Sequence, residues 1–245
     1  MAMQTILKVV IHILVSPWSL ASRVMIWLRL YGLNDDLQRC LVVVDAAPPI
    51  PNRFVVTLVA AEDHRSLIHP GVDPISMLRV LLLWARTGRV QGASTIEQQL
   101  VRVVLDCYEK TLCRKLREQL IAVALVRKRS KAQISKAYLG KAFYGSGQHG
   151  LSALTYACKP NLETTSQNRI SYMVARLKYP EPISPTTEWR QKVSNRVRYI
   201  SVRQKGLANF TFEGTLRDKA AHRPSTPRWG SQKKMTIGTH LCKLT

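Results

Sequence analysis

AAEDHRSLIHPGVD (60–73) places a Glu-Asp pair seven residues ahead of a histidine and nine ahead of a glycine. Three further polar clusters follow on a chain that is otherwise apolar and basic: GASTIEQQLVR (92–102), RKLRE (114–118) and KAYLGKAFYGSGQHG (136–150). Between the clusters the apolar spacing is helical, with few alternating runs, so the fold class is mostly α. Residues 74–87 open on Pro74 and stop before Gly88, which is helix punctuation. Ser94 stands three residues before Glu97, a capping-box pattern ahead of an apolar run to about Leu105. Leu112, Leu116 and Leu120 predict the buried stripe of a helix reaching Lys128, and Ser130 with Gln133 predicts a cap for the next helix. Gly145, Gly147 and Gly150 then predict a tight loop.

Composition bounds the partners. The 245 residues carry a formal charge of +22, which calls for an anionic partner: nucleic acid, acidic phospholipid or a pyrophosphate. No helix-turn-helix, zinc-finger or RNA-binding signature is present, so a specific nucleic-acid partner is not expected. Five scattered cysteines without a C-x-x-C pair predict free, mostly buried thiols, not a disulfide framework or a zinc site.

Four regions are expected. Residues 1–30 read as a membrane anchor: Ile6 to Leu30 meets the requirement of about 20 apolar residues, but it encloses Arg23. The alternative is an amphipathic helix lying in the interface or packed on the domain. Residues 31–54 read as a connector, with Asn34-Asp35-Asp36 as a turn and Pro48-Pro49-Ile50-Pro51 as a stiff break. Residues 55–205 form the domain proper, and 206–245 a basic tail. From Trp189 onward, 13 Lys or Arg face only Glu213 and Asp218, which predicts attraction to anionic surfaces.

The four clusters, in this order and spacing, resemble the motifs of the peptidoglycan glycosyltransferases of family 51: E-D-x-x-F-x-x-H-x-G, G-G-S-T-I-T-Q-Q, R-K-x-x-E and K-x-Y-x-x-x-x-Y-F-G-x-G-x-x-G. The match covers roughly residues 50–180. It implies a bilobal, lysozyme-like, monofunctional glycosyltransferase with an N-terminal membrane-associated helix. Its substrates would be lipid II and the growing glycan strand, worked on at the outer face of the bacterial cytoplasmic membrane. The anionic membrane and other cell-wall enzymes are the further partners implied.

Residue by residue, the resemblance makes Glu62 the general base for the acceptor 4-hydroxyl and Glu118 the second carboxylate, near the donor diphosphate. Asp63 becomes an orienting or metal-proximal residue. Arg102, Lys110, Arg114 and Lys115 become the cations for the pyrophosphate, a job suited to bidentate arginine and point-charge lysine. Ser94, Thr95, Gln98 and Gln99 line the groove, His69 is structural, and by family analogy a divalent Mg²⁺ or Mn²⁺ assists. Taken singly, the acids read as turn or cap residues, and Glu118 as an i,i+4 partner of Arg114.

Several supporting positions depart from the family pattern: Ser66 for the aromatic, Glu97 for threonine, Val103 and Gly140 for asparagines, and Tyr144 at the end of the fourth motif. A homologue that binds lipid II as a scaffold without turnover is therefore the alternative to an active synthase. A lytic hydrolase also uses paired carboxylates, but the four motifs match synthesis better.

Overall fold

The computed structural model describes residues 2–88 and 92–208. The tail expected at 206–245 lies, from residue 209 on, outside the described residues. What is described is overwhelmingly helical, in keeping with the mostly α reading.

The chain opens with α1 (Ala2–Trp27) and a 3-10 turn at Leu30–Gly32, then continues through α2 (Leu33–Asp45), α3 (Asn52–Glu62) and α4 (Pro74–Thr87). Next come α5 (Ile96–Leu105), α6 (Leu112–Lys128) and α7 (Lys131–Leu139). A small antiparallel hairpin, β1 (Phe143–Gly145) and β2 (Gln148–His149), leads into α8 (Gly150–Ala157), α9 (Gln167–Lys178) and α10 (Thr187–Ala208). Helices α2, α5, α6 and α7 pack as one group, and α3, α9 and α10 as another, with α3 also touching α7. Ile121 to Leu125 of α6, Leu100 and Val101 of α5, Phe54 and Leu58 of α3, and Met173 to Ala175 of α9 fill the interior.

The connector expected at 31–54 is instead part of the core. Leu33, Leu37, Cys40, Leu41 and Val44 recur at helical spacing on one face of α2 and are all buried. Burial pushes the Cys40 thiol up to about 12, so that it behaves as an apolar filler. The prolines at 48–51 mark only the short passage from α2 to α3.

Punctuation placed two helices well. Asp73 caps α4 by accepting from the Ser76 N–H, and Gly88 ends that helix in the left-handed region. The capping box of Ser130 and Gln133 forms at the start of α7. At α5, however, the cap is Thr95, whose hydroxyl accepts from the Gln98 N–H, and not Ser94. The stripe expected on α6 is also corrected. Leu112 is 89% exposed and Leu116 50%, so the buried run of that helix starts only at Glu118.

Helix α1 docks one face on the domain. Ile11 and Val15 are fully buried with Val72 and Val123, and Trp18 packs beside them. The Trp18 indole donates to Gln119 Oε1 at 2.8 Å, the Ser22 hydroxyl donates to the Leu120 carbonyl at 2.9 Å, and Arg127 donates to the Ser19 carbonyl at 3.1 Å. The remaining faces of α1 expose Ile6, Val9, Ile13, Leu14 and Leu20, and Thr5–Trp27 is long and apolar enough to cross a membrane. Helix α4, which touches α1, exposes Leu78, Leu81, Leu82 and Trp84. The anchor and the docked-helix readings thus describe different faces of one helix.

Gly71 sets how closely the loop after α3 approaches α6. Its φ is +97°, and a β-carbon there would lie 2.8 Å from the carbonyl carbon and oxygen of Ala122. Gly71→Ala is expected to destabilise the protein by about 2 kcal/mol or more, combining left-handed strain with a backbone clash. Chemical denaturation at unchanged m-value measures this, and a loss of under about 0.5 kcal/mol would contradict the packing described.

Candidate active site

Glu62 is the last residue of α3, and Asp63 is the first residue beyond it. Adjacent in sequence, the two carboxylates face opposite environments. The Asp63 side chain turns inward. Its oxygens accept from His69 Nε2 at 2.9 and 3.1 Å and from the Ile96 N–H at 3.4 Å. Because a carboxylate only accepts, Nε2 carries the proton. Nδ1 then accepts from the Gly71 N–H, with the Lys131 ammonium also 3.3 Å away. Burial pushes the Asp63 carboxyl up, but His69, Lys131 and the Ile96 amide outweigh it and hold it below the ordinary range.

The same node holds the second motif. The Thr95 hydroxyl donates to the Gly71 carbonyl at 2.8 Å and Gln98 Nε2 donates to it at 3.3 Å. Glu97, buried in place of the family's threonine, pairs with Lys131 at 2.7 Å through Oε1, while its Oε2 has no partner among the described residues. Thr95 and Asp63 are therefore both buried and spend their hydrogen bonds within the protein.

Glu118 stands at the centre of a cationic cluster. It is 2% exposed and is held by Arg102, whose Nε and Nη2 donate at 2.8 and 3.1 Å, by Arg114, and by Lys115 at 3.3 Å. Lys115 also donates to Ser94 Oγ at 2.8 Å and to Gln98 Oε1 at 2.6 Å. Burial pushes the Lys115 ammonium down against the opposing pull of Glu118. Three cations around one buried carboxylate leave net positive charge facing outward, since Arg102, Arg114 and Lys115 are all partly exposed. Lys110, expected among them, lies exposed in the segment between α5 and α6 and is not brought to the cluster.

Tyr138 of α7 ties to α5 within reach of the Glu62 charge. Its hydroxyl donates to Gln99 Oε1 at 2.6 Å, and it feels the charges of both Glu62 and Arg102. Burial and the Glu62 carboxylate both push its phenol up, so it remains a donor.

Glu62 itself is held from an element the sequence did not single out. Arg196 of α10 donates from Nη2 to Glu62 Oε1 at 2.8 Å. In the sequence Arg196 is one more charge in a basic run, and nothing in its spacing separates it from its neighbours.

Residues 34–205, well over half of the chain, match the family model described as Transglycosylase. The chain belongs to this transglycosylase family. Its relatives include penicillin-binding protein 1A of Aquifex aeolicus, 38% identical over 126 residues that make up 51% of this chain and 17% of that protein. Penicillin-binding protein 1A of Haemophilus influenzae is 30% identical over 174 residues, 69% of this chain and 20% of that protein. Penicillin-binding protein 1B of the same organism is 32% identical over 193 residues, 76% of this chain and 24% of that protein. The transglycosylase chain thus spans about a fifth of the length of these relatives. The family match begins at residue 34 and so takes in α2, in accord with its place in the core.

Most of the carboxylate oxygens at the site are already occupied by donors of the protein, Glu97 Oε2 being without one among the described residues. Both Glu118 oxygens are taken by Arg102, Arg114 and Lys115, and Asp63 is tied to His69 and the Ile96 amide. Asp63, His69 and Glu97 do bring ligand atoms within 4.8 Å of one another, but the Lys131 ammonium already lies on Glu97 Oε1 and against His69.

Asp63 and Asp73 both have depressed carboxyls in the folded state; at Asp73 burial is outweighed by the Ser76 N–H, Arg65 and the Ser76 hydroxyl. A depressed folded value contributes stability that is present above the unfolded value of about 3.9 and is lost as pH falls through the folded value. Melting temperature is expected to fall on acidification below about pH 4, with a shallower fall in Asp73→Asn. Parallel acid profiles for wild type and variant would contradict this.

Proposed function

We propose that this transglycosylase-family chain is a peptidoglycan glycosyltransferase. It would polymerise lipid II into glycan strands with release of undecaprenyl diphosphate. The observation that carries the reading is the division of labour between two glutamates: Glu62, anchored through one oxygen and partly exposed, and Glu118, buried under three cations.

In this reading Glu62 takes the proton from the acceptor sugar's 4-hydroxyl as that oxygen attacks the donor's anomeric carbon. The new C–O bond forms with inversion as the bond to the diphosphate breaks. The leaving diphosphate is met by Arg102, Arg114 and Lys115, whose fixed charges need no reorganisation at the moment of departure. Glu118 holds the three cations together against their mutual repulsion and is not itself a proton carrier. Ser94, Gln98 and Gln99 orient Lys115 and Tyr138 at the edge of this cluster. No step in this reading is routed through a divalent ion.

The exposed apolar faces of α1 and α4 support a seat at the membrane, where a lipid-linked donor resides. We infer that α1 spans the cytoplasmic membrane and that the catalytic groups work on its outer face.

The test is polymerisation of labelled lipid II by the detergent-solubilised full chain, with moenomycin as inhibitor control. Glu62→Gln is expected to lower turnover by about 10³-fold, the usual worth of a positioned base. Arg102→Met and Lys115→Met are expected to weaken both donor use and moenomycin binding. A wild type that binds moenomycin saturably and makes no glycan would overturn the enzymatic reading in favour of a scaffold.

A further inference from the structure

The last residue of a helix is a poor place for a carboxylate. The carbonyls of the final turn are unsatisfied and carry the negative end of the helix dipole, which repels an anion there. Glu62 occupies this place on α3, and no Lys or Arg of that helix lies in its last turn to offset it. The offset comes from α10. One nitrogen of Arg196, Nη2, donates both to the Ala61 carbonyl at 2.7 Å and to Glu62 Oε1 at 2.8 Å.

We propose that Arg196 is the positioning residue for Glu62: it closes the carboxyl end of α3 and fixes the glutamate's rotamer, so that one oxygen is pinned and the other is left to accept a proton. Three features support this assignment. Glu62 Oε2 makes no hydrogen bond among the described residues, in contrast to Glu118, whose oxygens are both occupied. The Arg196 side chain is only 12% exposed, and its guanidinium lies 4.9 Å from the Tyr199 ring centroid, so the arginine is itself held in place. Helix α10 packs along both α3 and α9, which makes the pair a contact between elements and not a surface accident. An anchored carboxylate also keeps its orientation without losing rotamer freedom at the moment of reaction.

The inference rests on Glu62 acting as the base. It is tested on the full chain by steady-state lipid II polymerisation with Arg196→Met, Arg196→Gln and Arg196→Lys, each checked for its melting temperature. Misplacement of the base is expected to lower kcat by roughly 10²-fold in Arg196→Met while KM stays within about twofold. Arg196→Lys is expected to recover part of kcat, because it restores charge but not the fixed fork. If Arg196→Met fails to fold, Arg196→Gln, polar but shorter and uncharged, carries the same kinetic test. A rise in KM at unchanged kcat would make Arg196 a substrate contact and overturn the proposal, as would full kcat in every folded variant. Loss of activity in Glu62→Gln alone would sink only the role of Arg196. Full activity in Glu62→Gln would sink the base assignment beneath it.

Discussion

A carboxylate largely withdrawn from water is tolerated only where hydrogen bonds and opposite charge replace its hydration. Asp63 is such a group, and meeting its needs draws four separate parts of the chain together. His69 comes from its own loop, the Ile96 amide from the start of α5, the Lys131 ammonium from α7, and Gly71 closes the ring against α6. Two of the polar motifs are therefore joined not by chemistry on substrate but by one desolvated acid. Glu62, one residue away, is held at a fixed place on the rim because its neighbour cannot move.

Charge in this chain works at two ranges. At short range Arg102, Arg114 and Lys115 surround Glu118, and Arg196 meets Glu62, so each carboxylate of the site has its own cations. At long range an excess of +22 biases the whole molecule toward anionic surfaces, an attraction that salt screens within about 10 Å. The first kind is directional and tied to individual atoms. The second steers encounter and carries no selectivity, which is why composition alone left nucleic acid, phospholipid and pyrophosphate open.

Local signals were legible where local physics decides. Pro74 with Gly88, and Ser130 with Gln133, fixed the bounds of α4 and the start of α7, because caps depend on only a few adjacent residues. Helix α2 was missed although Leu33, Leu37, Cys40, Leu41 and Val44 follow helical spacing; the Asn-Asp-Asp run and the prolines dominated the reading of that segment. The stripe on α6 failed for another reason. Leu112 and Leu116 lie on the part of that helix that overhangs the cationic cluster, where the elements around it leave no apolar cover. Ser94 was read as a cap and serves instead as a partner of Lys115, while Thr95 caps. Motif order singled out Glu62, Asp63 and Glu118, but not Arg196, since its contact with Glu62 comes from α10 crossing the end of α3.

The departures from the family pattern are not all losses. Glu97 in place of threonine would strand a charge in the core, yet Lys131 meets it at 2.7 Å and also faces His69, so the substitution is absorbed by the same node that holds Asp63. Gly140 in place of asparagine answers a steric demand: a β-carbon there would fall 2.6 Å from the Pro48 ring, and Pro48 belongs to the passage between α2 and α3. For Ser66, fully buried where an aromatic is usual, the structure offers no such partner. Decay without selection leaves unpaired charges and clashes at random, because most substitutions destabilise and few are matched elsewhere. Two of these departures are matched by a complementary residue on another element, and neither disturbs the geometry of Glu62 or Glu118. The exchange alters the supports around the site and leaves Glu62 with Arg196 and Glu118 with its three cations.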